Sequence, residues 1–348
     1  MAATMREVAE AAGVSIATVS FVVNNTKPVT PETRRRIEDA MERLAFRRNM
    51  VGRALASRRT RVVALVYPAI EHKLGASGME FVTSAARTAS AAGYHLVLWP
   101  VSNDAEELGQ LLGQGLVDGV LLMEVQLEDA RVEVLRSTGT PFALIGRSAD
   151  LTGLVYVDID FDTTVQQAVD HLHGLGHREL AMVTGSQADA SYRTYGPYVR
   201  ARAAYDRVAA ERGLEAHVVE CEQTVEAGRA AADEILRAWP RTTAVLVLNE
   251  FAAPGVVSAL LRHGRRIPED VSVLSVLTSP EMSTSVEPPL TAFSSPGAEL
   301  GELGVQAILR VLEGEAALPP RLLPGTLVPG ESTGPAPTTD DAPAEARA

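Results

Sequence analysis

An apolar strand, Val155-Tyr156-Val157-Asp158-Ile159, runs into Asp160-Phe161-Asp162-Thr163-Thr164. The Asp-x-Asp-x-Thr spacing offers a nucleophilic and an acid/base carboxylate of the kind that work beside Mg²⁺. The later lysine and acidic pair that such a site requires are not evident at matching strand ends. An EF-hand reading lacks Gly at Thr163 and Glu at Val169. His171, His173 and His177 suggest a metal cluster, but they fall near the end of a helical stretch, where His is favoured structurally. The single cysteine, Cys221, can make neither an internal disulfide nor a cysteine-built zinc site and fits a reducing compartment. No Walker-type loop or Gly-x-Ser-x-Gly elbow is present. The expectation is a protein that is not an enzyme and that carries no metal and no cofactor.

The charge distribution points elsewhere. Residues 1–61 hold twelve Lys/Arg against six Asp/Glu, a net of +6, so the total of −12 less that +6 leaves −18 on the remaining 287 residues. A basic head on an acidic body fits a nucleic-acid-binding module joined to a sensing domain. The elements that position the head are legible. Thr4-Met5-Arg6-Glu7 is a capping box, and Val8, Ala9 and Ala12 follow at helical spacing before Gly13 breaks the helix. Ser15 caps a second helix, Ile16 to Val23. Thr30-Pro31 opens a third, which runs to about Phe46 with Ile37, Met41 and Leu44 inward and Arg34, Arg35 and Arg36 outward. Helix, tight turn, helix is a helix-turn-helix.

The run from Val8 to Ser20, followed by Val22, Val23 and Asn24, closely resembles the head of the LacI/GalR family of transcription regulators. The likeness continues through Thr30 to Arg36 and into Asn49 to Leu55, which looks like that family's hinge helix. It implies a recognition helix in the major groove, with Ile16, Ala17, Ser20 and Phe21 facing base edges. Thr4, Ser15, Thr18, Asn24 and Thr33 would then sit on phosphates. The hinge residues Asn49, Val51 and Leu55 would reach the minor groove, with Leu55 as the wedge that kinks the duplex. Where the family often has Arg, this chain has Phe21, so the reading face is apolar and specificity should lean on thymine methyls and DNA shape. Arg48 replaces a proline common in the family. Gly52 replaces a small helix former, at a cost of roughly 1 kcal/mol.

Beyond Arg61 short apolar strands alternate with helices in two βαβ blocks. The fold class is therefore an all-α helix-turn-helix head followed by an α/β two-lobe body with parallel sheets. The resemblance implies that this body is periplasmic-binding-protein-like. The expected domains are 1–47 for the head, 48–60 for the hinge helix and linker, and 61–330 for the two-lobed domain. Lobe 1 takes about 61–158 and 294–320, lobe 2 about 159–293 and 321–330, and a disordered tail follows at 331–348. Crossings between lobes are placed near Val157 to Asp160, Phe293 to Pro296 and Leu318 to Leu322.

Ligands of such sheets bind at the carboxyl ends of the strands, in the cleft. Family members that bind sugars carry polar anchors that are replaced here at Gly146, Val199 and Ser275 to Thr278, so the effector is not expected to be a simple sugar. Arg147, Asp160, Phe161, Tyr192, Arg193, Tyr195, Arg200, Asn249 and Glu250 are the residues expected to hold it, by stacking and one or two arginines. The resemblance further implies a pseudo-palindromic DNA operator, a homodimer or a dimer of dimers, and repression as the outcome. No run approaches the eighteen or so apolar residues of a membrane helix, and a cytoplasmic, nucleoid-associated protein is expected. The alternatives are a solute-binding or sensor protein and, from the Asp160 motif, a haloacid-dehalogenase-like phosphatase.

Overall fold

A computed structural model describes residues 3–24, 27–46, 59–68, 74–103, 105–188, 192–316 and 319–338. They fall into two units, Met1–Thr60 and Arg61–Ala348.

In the first unit helices begin where the sequence supplies caps. Thr4 accepts from the Glu7 amide, and the Glu7 carboxylate accepts from the Thr4 amide at 2.7 Å, so α1 (Met5–Ala12) opens on a complete capping box. Gly13, at φ +63°, ends it. Ser15 Oγ accepts from the Thr18 amide at the start of α2 (Ile16–Asn24), and Thr30 does the same for Thr33 ahead of α3 (Pro31–Arg43). Caps of this kind are worth about 1 kcal/mol each. Val8, Val19, Val22, Val23, Ile37 and Ala40 close one small core. Two expectations are corrected. Leu44 is exposed, because α3 stops at Arg43 before the helical face can carry it inward. Arg36 does not point away from the head: its guanidinium donates to the carbonyls of Ala12 and Gly13 at 2.5 and 3.1 Å, filling acceptors that the end of α1 leaves open.

In chain order the second unit begins with β1 (Val62–Tyr67), α4 (Ala76–Ala91), β2 (His95–Pro100), α5 (Ala105–Leu112), β3 (Gly119–Leu122), α6 (Ala130–Thr138), β4 (Phe142–Ile145) and β5 (Tyr156–Ile159). Then come α7 (Phe161–Gly174), β6 (Glu179–Gly185), α8 (Gly196–Arg212), β7 (Glu215–Cys221), α9 (Val225–Ala238), β8 (Ala244–Val247), α10 (Ala253–Arg262) and β9 (Ser272–Thr278). The last elements are α11 (Pro280–Ser283), β10 (Thr291–Ser294), α12 (Gly297–Glu313), β11 (Arg321–Leu323) and β12 (Thr326–Val328). The strands make two six-stranded sheets, ordered β11-β5-β4-β3-β1-β2 and β12-β10-β9-β8-β6-β7. The pairs are parallel except β10 with β12. Both faces are covered, as parallel sheets require. Val63, Leu65 and Leu121 pack on one side of the first sheet, while Ala64, Val66, Val120 and Leu122 pack on the other. The second sheet divides likewise between Ala181, Val183 and Val245 and Leu180, Met182 and Leu246.

Two placements differ from expectation. Arg321–Leu323 pairs with β5 in the first sheet, so this stretch belongs to lobe 1 and the third crossing falls at Pro324-Gly325, not at 318–322. The Gly325 amide donates to Thr164 Oγ1 at 2.9 Å there. Nor is the chain loose from 331. Ser332 is fully buried, its carbonyl accepting from the Val273 amide and its hydroxyl from the Thr291 amide, both at 2.8 Å, and the Ala336 amide donates to Leu175. Residues 331–336 thus seal the end of lobe 2, while 339–348 lie outside the described residues.

Candidate functional sites: a reading face and an inter-lobe cleft

On α2, Ile16 is half exposed and Ala17 is exposed, with Ser20 and Phe21 partly so, while Val19, Val22 and Val23 are buried. One side of the helix is therefore core and the other is a small apolar surface. Of the residues expected to meet phosphates, Ser15, Thr18 and Thr33 are engaged in caps: Ser15 Oγ and Thr18 Oγ1 lie 2.8 Å apart, and Thr33 Oγ1 accepts from Thr30 at 2.8 Å. Thr4 belongs to the capping box of α1. The side chain of Asn24 and all of Asn49, Val51 and Leu55 lie outside the described residues. Lys27 was missed by sequence reasoning. Its ammonium lies 5.1 Å from the centroid of the Phe21 ring. A cation therefore stands beside a reading helix that has none of its own. Its signal was the only lysine in the head, three residues past the helix end.

Within the body the carboxyl ends of β1, β3, β4, β5, β7, β8 and β9 converge on a cavity of about 170 Å³. Phe161, Tyr195, Asn249 and Glu250 line it, as expected effector residues. Arg147, Asp160, Tyr192, Arg193 and Arg200 are not among its lining. Asp160 caps α7, accepting from the Thr163 amide at 3.0 Å and hydroxyl at 2.7 Å. Asp162 pairs with Arg207 at 3.2 Å on the surface, so the two carboxylates of the Asp-x-Asp motif hold separate structural posts. Arg147 and Arg200 both face Asp158 Oδ2, at 3.5 and 3.7 Å, and Arg200 also donates to the Arg147 carbonyl. Burial nevertheless pushes Asp158 up to about 6, against the pull of the two guanidiniums. Tyr192 stacks on Tyr198 with centroids 6.0 Å apart, and Tyr195 meets Tyr198 edge to face at 4.7 Å.

A short loop after β3 carries lobe 1 into contact with lobe 2. Arg131, fully buried, grips Asp129 with two donors at 2.9 and 2.7 Å and donates to the Glu124 carbonyl at 2.9 Å. Asp129 also accepts from the Gln126 amide. That clamp holds Glu124 at φ +54°, where its carboxylate accepts the Tyr195 hydroxyl proton in hydrogen bond. Leu127 donates to the Thr194 carbonyl at 2.7 Å and Gly196 to Val125 at 3.2 Å, so backbone joins the lobes directly. Burial raises Tyr67, Tyr195 and Tyr198 above the ordinary phenol, which keeps all three hydroxyls protonated. Asn249 is consumed locally: its amide faces the carbonyls of Cys221 and Glu222, and its oxygen accepts from Ala252.

Two of the three histidines read as a metal cluster have protein partners instead: His171 Nε2 lies 3.1 Å from Thr333 Oγ1. His177, fully buried, bonds Thr243 through Nδ1 at 2.9 Å and faces Ser272 and the Gly334 carbonyl through Nε2. Burial pushes it down to about 4. Elsewhere Glu179, Glu215 and His217 bring ligand-type atoms within 4.8 Å of one another. Arg241 already bridges both carboxylates, at 3.2 and 3.0 Å.

Residues 4–49 match the model for bacterial regulatory proteins of the lacI family, and residues 169–333 match a periplasmic binding protein-like domain. The HTH-type transcriptional regulator CelR of Thermobifida fusca is 31% identical over 331 residues, spanning 92% of this chain and 95% of its own. A solved complex of transcriptional regulator CelR with cellobiose superposes with a TM-score of 0.70 at 28% identity, covering 95% of this chain and 99% of that one. The lac repressor dimer bound to operator and the anti-inducer ONPF superposes at 0.84 and 24% identity, over 96% and 100%.

Proposed function

Because this chain belongs to the lacI family of bacterial regulatory proteins and is a DNA-binding transcriptional regulator, we infer that it is a repressor whose grip on DNA is set by a small molecule in the cleft. The observation that carries the reading is the pairing of two surfaces in one chain. A capped three-helix head presents Ile16, Ala17, Ser20, Phe21 and Lys27, and a two-lobed body closes strand ends around a cavity. A homodimer would set two heads on a pseudo-palindromic operator, since two-fold protein symmetry demands a two-fold site. The phosphate contacts proposed for Thr4, Ser15, Thr18, Asn24 and Thr33 would fix register, and Asn49, Val51 and Leu55 would enter the minor groove. Opening or tightening the lobes changes the spacing of what each protomer offers DNA, which is the coupling an effector needs. The site of action would be the cytoplasm, at the nucleoid; no helix among the described residues is long and apolar enough to cross a membrane.

The effector is not a simple sugar. CelR is seen with cellobiose, but in this cleft Asn249 is bonded on both sides and six aromatic rings make up much of the wall, a lining poorly matched to a ring of hydroxyls. Sites selected from genomic DNA by the purified protein supply the operator. Deleting residues 1–56 is then expected to abolish binding across roughly 50 to 200 mM salt. Equal binding by the full and shortened chains would reduce the protein to a solute-binding body with an incidental head.

A further inference from the structure

We propose that the cleft takes an organic cation, an ammonium group carried on an apolar or aromatic body. The inference rests on reading the cleft as the effector site and assigns its ligand a chemical class. Six aromatic rings line the cavity: Tyr67, Phe81, Phe161, Tyr195, Tyr198 and Phe251. The charged groups on its wall are Glu124, Asp158 and Glu250; among the described residues no arginine or lysine lines it. Arg147 and Arg200 lie behind the wall, turned to Asp158.

The three carboxylates are not equivalent. Asp158 faces two guanidiniums, and Glu124 accepts from the Tyr195 hydroxyl. Glu250 is 8% exposed, and among the described residues its Oε2, like Asp158 Oδ2, has no hydrogen-bond partner, but no guanidinium faces it. Its contacts to Ser77 and Ser279 draw it down less than burial pushes it up. A buried carboxylate oxygen without a donor is costly, and a ligand that brings an N⁺–H or a methylated ammonium removes that cost. Aromatic rings line the same space, and the negative face of such rings is what lets aromatic cages hold ammonium groups. An anion entering the same space would meet Glu124 and Glu250, while Arg147 and Arg200 are not in the wall. A polyol would find Asn249 already bonded on both sides.

The test uses the full chain and isothermal calorimetry with 2-phenylethylammonium, choline and 1,4-butanediammonium. Each is compared with a neutral analogue: 2-phenylethanol, 3,3-dimethylbutan-1-ol and butane-1,4-diol. Phenylacetate and cellobiose are run alongside. At least one cation is expected to bind roughly tenfold or more tightly than its neutral analogue. Glu250→Gln should erase that difference while the unliganded melting temperature holds. Phe251→Leu, a change at a half-buried ring, should weaken the same cation and so covers the case in which the first variant does not fold. Neutral analogues that bind as well as the cations, or no binding by any cation, would overturn the proposal. Tight binding of cellobiose or phenylacetate in place of the cations would overturn it while leaving the cleft an effector site. Silence from every compound would remove both readings.

Discussion

Lys27 resting on Phe21 puts an ammonium where Ile16 and Ala17 can donate nothing. The stacking itself is worth about 0.5 to 1 kcal/mol at an exposed site, enough to bias where the flexible side chain sits. Lys27→Met is therefore expected to weaken operator binding and to lower the slope of log affinity against log salt by about one. Titrations at several salt concentrations check this, and an unchanged slope would take Lys27 out of the contact set. In the body, Asp158 and His177 oppose each other over one pH interval. Asp158 is held near 6 in the folded chain against 3.8 for an exposed aspartate, so the native state binds its proton more tightly and stability falls as pH rises between those values. His177 is held near 4 against 6.5, so its native state binds the proton less tightly and stability rises as pH climbs through that window. Each effect is about 3 kcal/mol. The two nearly cancel around pH 5. Asp158→Asn should leave a profile that rises from pH 4 to 6.5, and His177→Gln one that falls from pH 4 to 6. Urea denaturation across that range decides, and parallel profiles for the two variants would contradict the assignment.

At the scale of elements, the loop after β3 is the part of the cleft that sequence patterning hid. Arg131 sits in the first turn of a helix among charged neighbours and reads as solvated. Its burial against Asp129 depends on the Glu124 carbonyl curling back over it, a tertiary arrangement with no local signature. Arg131→Met strands a buried carboxylate and releases Glu124. A loss of about 3 to 5 kcal/mol in unfolding free energy is expected, and adding Asp129→Leu should restore little of it, because the Gln126 and Arg131 amides then lose their acceptor. Denaturant midpoints of the single and double variants measure both. What could be read, by contrast, was written locally. The Thr4, Ser15 and Thr30 caps and the Gly13 stop fix the head within a few residues, and the strand ends point to the cleft by a topological rule. The strand at Arg321–Leu323 escaped because three residues after a Pro-Pro pair carry little periodicity and their partner lies at Val157–Ile159. Ser332 escaped for a related reason: Pro, Thr and Ala around it look unordered, yet its hydroxyl and carbonyl complete lobe 2. Ending the chain at Pro329 should cost at least about 2 kcal/mol through the orphaned Val273 and Thr291 amides. Thermal melts of the shortened protein check it.

For the molecule as a whole, neither lobe is one continuous stretch of chain. Lobe 2 draws most of its sheet from residues 179–294, but lobe 1 waits for α12 and β11. Leu300, Val305, Ala307 and Ile308 of α12 cover the face that Val63, Leu65 and Leu121 present. On the ribosome that apolar face therefore stays open, although Leu121 completes it early, until the chain has been made beyond Ile308. Domains made first usually fold first; here lobe 1, though translated first, cannot close before α12 and β11 have been made. Chains stalled just after Ser294 should show a protease-resistant lobe 2 beside a digestible lobe 1, and resistance of both would refute that order. Through most of its synthesis this regulator exposes a growing sheet to whatever chaperones attend the nascent chain.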